Sequence, residues 1–324
     1  VKNSKRMLVI DQLNLFFRNY IVNPSLSLNG QPIGGLKGCI QSLQKIVRES
    51  KPDMIVVCWD GAGGSRKRKL IKKDYKAGRK PIRLNRGIRN LSEHEELENK
   101  IWQQTRLVEY LNQMPVVQFM FDSTEADDVI GYVTQHPRFK DWQKLIVSSD
   151  KDFFQLLNEH TVLMRPVQKE VVNRKILLDK FDIHPNNFAI ARAIVGDKSD
   201  NLDGVPGLGL KTVARRFPFL RSEQAATVDD LIEHCEKQLE EKDIKAYQNV
   251  VDHRQVVERN YKMMQLYAPM LTVSSKKEIN ATLDSPDNTF NRTEVIKMML
   301  QDGFGETNFS EIFQHFNKIC VDNS

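Results

Sequence analysis

In the stretch STEADDVIG, residues 123–131, Glu125, Asp127 and Asp128 place three carboxylates within four positions, directly ahead of an apolar run. A helix N-terminus favours negative charge through its macrodipole, and Ser123 or Thr124 could be the N-cap; that accounts for one or two acids, not three. Other acids follow other short apolar runs. Asp11 follows MLVI (7–10), Asp60 follows MIVVCW (54–59), Asp122 follows VVQFM (116–120), and Asp150 and Asp152 follow LIVSS (145–149). If these runs are strands of one parallel sheet, their C-terminal ends lie side by side and the acids converge on one cleft. Unit charges about 4 Å apart interact by roughly 4 kcal/mol at an effective dielectric of 20, so such a cluster protonates or is neutralised by cations. Carboxylate oxygens without His or Cys select hard ions, Mg²⁺ or Mn²⁺. Two such ions about 4 Å apart could activate a water and stabilise the leaving oxygen in phosphodiester cleavage. Asp122 reads instead as a cap or turn former.

The elements that must position these acids are legible in outline. The four runs are rich in β-branched residues and too short for typical helices, so each predicts a buried strand. Between them, Leu36, Ile40, Leu43 and Val47 fall at helical spacing, as do Leu97, Ile101, Val108 and Leu111 behind a capping box from Ser92 to Glu95. Strands alternating with helices imply an α/β fold with a parallel sheet covered on both faces.

Charge is unevenly spread. From Arg66 to Arg89 twelve residues are Lys or Arg and only Asp74 is acidic, a local +11 that leaves the rest of the chain at −5 against a total of +6. A basic segment on an acidic body points to a polyanion, and this density points to nucleic acid. Tyr75 could stack on a base or pack against the base of the segment. Few apolar anchors lie between Lys72 and Asn90, so this segment is expected to be mobile without its ligand. Further on, Asp197 and Asp200 are spaced i, i+3, which places them on one face of a helical turn. GVPGLGLKTVARRF, residues 204–217, then reads as helix–hairpin–helix: Pro206 and Gly207 open a tight turn, Gly209 allows close backbone approach, and Lys211, Thr212, Arg215 and Arg216 follow on the next helix. Backbone N–H groups at that helix start would cradle a phosphate without reading its base.

Composition narrows the rest. With 324 residues, 40% hydrophobic and 28% charged, the chain can bury a large core in one elaborated domain or two. No apolar run approaches membrane-spanning length, and VKNSKRMLVID lacks signal-peptide organisation. Cys39, Cys58, Cys235 and Cys320 are far apart and seven histidines are scattered, which argues against zinc and disulfides and fits a reducing cytoplasm.

LVIDQLNLFFR, IVVCWDG, YKAGRKP, TEADDVIG, LIVSSDKDFFQL and GDKSDNLDGVPGLGLKTVARRF stand in this order over residues 7 to about 217. Together they resemble the flap endonuclease and 5′→3′ exonuclease family, including stand-alone bacteriophage 5′-nucleases and the phage enzymes called RNase H. The resemblance implies a PIN-like nuclease core over 1–178 with a helical, basic arch at about 61–105. A helix–hairpin–helix region over 179–262 and a helical C-terminal region over 263–324 would follow. It implies that Asp11, Asp60, Glu125, Asp127, Asp128 and Asp150 hold metal, and that Asp152, Asp197 and Asp200 form a second metal position. Glu125 and Asp128 share a helix face more readily, which ranks Asp128 above Asp127 as the direct ligand. Lys76 and Arg79 would steer the scissile phosphate, with Arg68 as a third clamp. Arg18, Arg66, Lys72, Tyr75, Gly207, Gly209, Lys211, Thr212 and Arg215 would contact DNA. Gln12 departs from the small residue usual after the first Asp.

The implied cofactors are two Mg²⁺ ions, with Mn²⁺ as a substitute, and a monovalent cation such as K⁺ at the hairpin turn. The implied partners are DNA and RNA–DNA with 5′ flaps, nicks or RNA primers, a sliding clamp and a single-strand-binding protein; the protein would be a cytoplasmic monomer. Three other readings fit less well. A phosphatase would want a second acid two residues after Asp11, where Leu13 stands. A PIN-type ribonuclease on single-stranded RNA would not need the hairpin turn or the long basic segment. A non-catalytic junction-binding protein would not need every acid. FSEIFQHFNKIC, near the C-terminus, reads as a core-packing helix rather than a docking helix.

Overall fold

The computed structural model describes residues 4–88 and 90–321; Arg89, the last base of the charged segment, and the two chain ends lie outside the described residues. Six strands form one sheet: β1 (Arg6–Asp11), β2 (Met54–Asp60), β3 (Val117–Phe121), β4 (Gln143–Val147), β5 (Thr161–Arg165) and β6 (Glu170–Val172). Their order is β3-β2-β1-β4-β5-β6, parallel except for antiparallel β6. The four anticipated runs are β1 to β4. Of the other two, β5 turns Thr161 and Arg165 inward, and polar residues at buried positions mask a strand signal, while β6 has only three residues, too few for a pattern.

The strand order reverses between β1 and β4, which pair in register from Arg6↔Gln143 to Ile10↔Val147. Such a switch point opens a crevice beyond the carboxyl ends of the strands. Alternation along β1 and β2 buries both sheet faces. Met7, Val9, Val56 and Cys58 point into one core, Leu8, Ile10, Val57 and Trp59 into the other.

The helices are α1 (Gln12–Val22), α2 (Gly34–Ser50), α3 (Arg66–Ile71), α4 (Glu93–Asn112), α5 (Ala126–Thr134), α6 (Arg174–Phe181), α7 (Phe188–Val195), α8 (Leu210–Arg216), α9 (Val228–Glu241), α10 (Lys245–Asp252), α11 (Arg254–Met264), α12 (Val273–Asp284), α13 (Arg292–Gln301), α14 (Phe309–Gln314) and α15 (Asn317–Val321). All four stripe residues of α2 are buried. In α4 the Ser92–Glu95 capping box forms, but the stripe is not the one expected: Leu97 and Ile101 are 48% and 54% exposed. Glu96, Asn99 and Gln103 are buried in their place. The reason is that α4 packs on the start of α2 and the chain leading into it, where backbone groups lack helical partners. Asn99 and Gln103 donate to Pro32 O at 2.9 Å each, and Gln103 Oε1 accepts from Leu36 N–H.

One core joins the sheet to α7, α8, α9, α11 and α12; the other takes in α1, α2, α4 and the C-terminal Val295, Met298, Phe313, Phe316 and Ile319. Phe313 and Phe316 are therefore core residues, as the packing reading of FSEIFQHFNKIC has it. Among the described residues no helix is long and apolar enough to cross a membrane.

Candidate active site

The ends of β1, β2 and β4 deliver Asp11, Asp60 and Asp150 to the switch-point crevice. Asp11 is the N-cap of α1 and accepts from Asn14 N–H at 3.3 Å, while Ser148 Oγ donates to its other oxygen at 2.7 Å. Ser148 Oγ also accepts from Asp150 N–H at 3.1 Å, so one hydroxyl ties the ends of β1 and β4 together. Gln12 is buried, its amide directed at Cys39 Sγ. Asp60, at the end of β2, accepts from Ala126 N–H at 2.7 Å. It thereby caps α5 from a neighbouring strand. Neither Ser123 nor Thr124 is the N-cap: that position is Glu125, in extended conformation.

The acids feel one another. Burial, then Asp60, raises the Asp11 carboxyl from its ordinary 3.8 to about 7. Burial, then Asp150, does the same for Asp152. Asp127 is pushed well up by burial, Asp150 and Asp11, and Asp150 is raised chiefly by burial. The crevice is thus short of positive charge, and its donors are all oxygen, which suits hard divalent ions. Among the described residues no three acids already share a coordination point; Asp11, Asp60, Glu125, Asp150, Asp152, Asp197 and Asp200 are each turned onto a donor of the protein instead.

Those donors are specific. Lys76 Nζ reaches Glu125 Oε1 at 2.8 Å, and Arg79 pairs with Asp200. Burial works against the Lys76 ammonium, but Glu125 and Asp127 outweigh it and hold its pKa above the usual value. Arg192, on α7, bridges the second acid group, with Nε to Asp152 Oδ1 at 3.0 Å and Nη2 to Asp197 Oδ2 at 2.5 Å. No motif in the sequence marks Arg192. The available signal was a lone arginine in the apolar run FAIARAIV (188–195), since a buried guanidinium needs a carboxylate. Asp197 and Asp200 come within reach because Gly196 ends α7 at φ +75°, where a Cβ would also lie 2.5 Å from Leu202 O.

Three expected roles change. Asp128 does not face the acids: its carboxylate takes a two-pronged bond from Arg68, at 2.7 and 3.3 Å, and a third from Met270 N–H at 2.9 Å. Asp127 lines a small cavity with Asp152 and Asp200 instead, and the charges of Asp150 and Asp11 raise its carboxyl. Glu125 and Asp128 do lie on one side, as their spacing predicts, but that side is occupied by Arg68, whose Nη1 reaches both carboxylates. Arg68 is no free clamp: it is 3% exposed, paired to Asp128 and, at 3.2 Å, to Glu125, with Nε donating to Met263 O. Tyr75 is 4% exposed, packed beside Leu202, Met263 and Met264, and its hydroxyl donates to Asp200 Oδ2 at 2.9 Å; stacking on a base is closed to it. Its alternative, packing at the arch base, is what the structure contains.

The remaining expected residues lie around this centre. Arg66 is exposed, whereas Lys72 is half-buried and spent on Asp74 at 2.6 Å. Arg18 is half-buried on α1, in a groove with Lys45 and Lys169. Gly207, at φ +77°, and Gly209 leave open space where a side chain would stand. Lys211 and Arg215 are exposed on α8, with Thr212 half-buried beside them. Asp122 is exposed, off the crevice floor.

A family model described as 5′-3′ exonuclease, N-terminal resolvase-like domain, matches residues 6–182, more than half of the chain. The chain belongs to the 5′-3′ exonuclease family. The 5′-3′ exonuclease of Aquifex aeolicus is 26% identical over 280 residues, covering 85% of this chain and 86% of that one. The thermostable DNA polymerase I of Thermus filiformis is 30% identical over 211 residues, 65% of this chain but 23% of its own length. Among solved structures, the bacteriophage T5 D15 flap endonuclease in a product complex with DNA and metal ions shares the fold, with a TM-score of 0.64 at 18% identity over 93% of this chain and all of that one. In this nuclease family setting, the acid crevice between β1 and β4 is the candidate active site.

Proposed function

We propose that the protein is a divalent-metal-dependent, structure-specific 5′ nuclease. It cleaves phosphodiesters near the 5′ end of a strand at single-strand/duplex junctions, and its task in replication is to remove RNA primers and flaps. The observation that carries this reading is that Asp11, Asp60, Asp127 and Asp150 stand at or just beyond the strand ends within electrostatic reach of one another, with the Lys76 ammonium on the adjacent Glu125. Asp11, Asp60, Glu125, Asp127 and Asp150 would hold Mg²⁺, or Mn²⁺ in its place, and Asp152, Asp197 and Asp200 a second ion. Bound there, the ions supply water activation and stabilisation of the leaving oxygen.

The chain's own residues do the rest. Lys76 and Arg79 exchange their carboxylates for the nonbridging oxygens of the scissile phosphate and complement the charge that develops there. Lys211, Arg215 and the Gly207–Gly209 turn hold a duplex backbone without reading its sequence. Arg66 and the exposed bases of the arch offset the negative field of the crevice, which would otherwise repel DNA. The partners are DNA and RNA–DNA junctions, with a sliding clamp and a single-strand-binding protein alongside a monomeric enzyme.

Cleavage mapping on end-labelled 5′-flap, nicked and RNA-primed duplexes, in Mg²⁺, Mn²⁺ and EDTA, tests this. Metal-dependent cuts clustered at the junction are expected. Junction binding without cleavage in either metal would make the protein a binding module, and cuts confined to single-stranded RNA would make it a ribonuclease.

A further inference from the structure

Asp74 is the lone acid in a run of twelve bases, and neither the sheet nor the acid crevice accounts for it. Its partner lies across the cleft. Asn201 Nδ2 donates to Asp74 Oδ2 at 2.8 Å and to Asp74 O at 2.9 Å. Two further bonds run alongside: Lys76 N–H to Asp200 O at 2.9 Å and Arg79 Nε to Ser199 O at 3.0 Å. Residues 74–79 of the arch therefore sit on the 199–201 turn as a matched edge. The cavity left among Arg68, Tyr75, Asp127, Asp152 and Asp200 is about 10 Å³, barely one water.

Both sides of the contact are conformationally special. Asn201 and Lys76 each have φ +58°. Asn tolerates this left-handed region because its short amide bonds locally; Lys does so only where its surroundings impose it. At Lys76 the imposed conformation carries the ammonium to Glu125. The Asp74 charge is not what Asn201 needs, since Lys72 Nζ already pairs with the other carboxylate oxygen at 2.6 Å. An acceptor oxygen is enough.

We propose that Asp74 and Asn201 form a clasp that sets the register of the arch against the turn carrying Asp200, and that Asn201 is a positioning residue for Lys76 and Arg79. It touches no substrate; it acts through where those two cations stand. This rests on the reading of Lys76 and Arg79 as the groups that meet the scissile phosphate. Asp74 is exposed, so its hydrogen bond adds little to stability, whereas misplacing a catalytic cation by about 1 Å can cost about a hundredfold in rate.

Three variants separate position from charge. Asn201→Gly keeps the left-handed backbone and removes the amide, Asp74→Ala removes the side-chain acceptor, and Asp74→Asn keeps an acceptor without the charge. Single-turnover cleavage of a saturating 5′-flap duplex in Mg²⁺ should slow about tenfold to a hundredfold in Asn201→Gly and Asp74→Ala. Dissociation constants for the same duplex in EDTA should stay within about threefold of wild type, with melting temperatures nearly unchanged. Asp74→Asn should cleave near the wild-type rate, and the Asp74→Ala/Asn201→Gly double variant no more slowly than the slower single one. In the free protein, the Lys76 amide should exchange faster in Asn201→Gly and Asp74→Ala, and not in Asp74→Asn. The clasp is refuted if Asp74→Asn is as slow as Asp74→Ala, if rate falls only in step with binding or melting temperature, or if Lys76 protection is unchanged. The exchange measurement decides the clasp even if the wild-type protein cleaves no flap, a result that would count against the nuclease reading alone.

Discussion

Without divalent metal, the protein should lose stability as pH rises through the range where most proteins gain or hold it. Asp11 and Asp152 titrate at about 7 in the fold, raised first by burial and then by Asp60 and Asp150, against an ordinary 3.8. A carboxyl raised in this way keeps its proton in the folded protein while the unfolded chain has lost it. Its contribution is therefore fully present below about pH 4 and is lost progressively as pH climbs through 7. The slope is about 1.4 kcal/mol per pH unit for each group, flattening as pH nears 7, or roughly 2 kcal/mol between pH 5 and pH 7. The two groups share Asp150 as a neighbour, so their effects are not additive. At about 2 °C per kcal/mol for a chain of this length, one group alone lowers the melting temperature by on the order of 5 °C. Thermal melts in EDTA at pH 5, 6, 7 and 8 measure this, with the Asp11→Asn/Asp152→Asn double variant as reference. Asparagine stands in for the protonated acid, and it can still cap α1. Wild type should fall relative to the variant as pH rises, and millimolar Mg²⁺ at pH 8 should restore wild type while leaving the variant nearly unmoved. A wild-type curve parallel to the variant's from pH 5 to pH 8, or no response to Mg²⁺, would show that the acids do not share a cleft.

The Arg68–Asp128 pair gives a second test: Arg68→Met and Asp128→Asn should each destabilise by about 3 kcal/mol in urea melts, because each strands a buried partner, and the double variant should recover much of the loss. Were Asp128 a metal ligand, its variant would instead abolish the Mg²⁺ shift in melting temperature. Asp150→Asn should abolish cleavage of a 5′ flap while gel-shift affinity stays near wild type; equal loss of both would make the residue structural. Lys211→Ala should weaken duplex binding to a similar degree across unrelated sequences and reduce the slope of log affinity against log salt by about one. Sequence-dependent losses would mean that α8 reads bases rather than backbone.

Much of the site is written in short range. An acid at the end of an apolar run needs only the run to be a strand for its place at the crevice to follow, and Asp11, Asp60 and Asp150 are of this kind. What local pattern does not carry is the partner of each charge. Few apolar residues mark the arch in the sequence, and its anchors come from elsewhere: Tyr75 and Leu84 are buried and Asn201 reaches it from far along the chain. The choice between Asp127 and Asp128 shows the same limit. Successive helical positions turn by about 100°, so one of the two faces the crevice and the other faces away. Which is which depends on where helix α5 begins and on where a counter-charge waits. The helix begins at Ala126 because the Asp60 carboxylate, at the end of another strand, accepts that residue's N–H. The counter-charge is Arg68, sixty positions earlier, fixed in turn by the carbonyl of Met263. Substituting a neutral residue for Arg68 would leave Asp128 with Met270 N–H alone, a buried carboxylate without its cation, and the acid helix would then have reason to rotate. Which of the two acids is left free for the crevice thus depends on Arg68, a residue far from both in sequence.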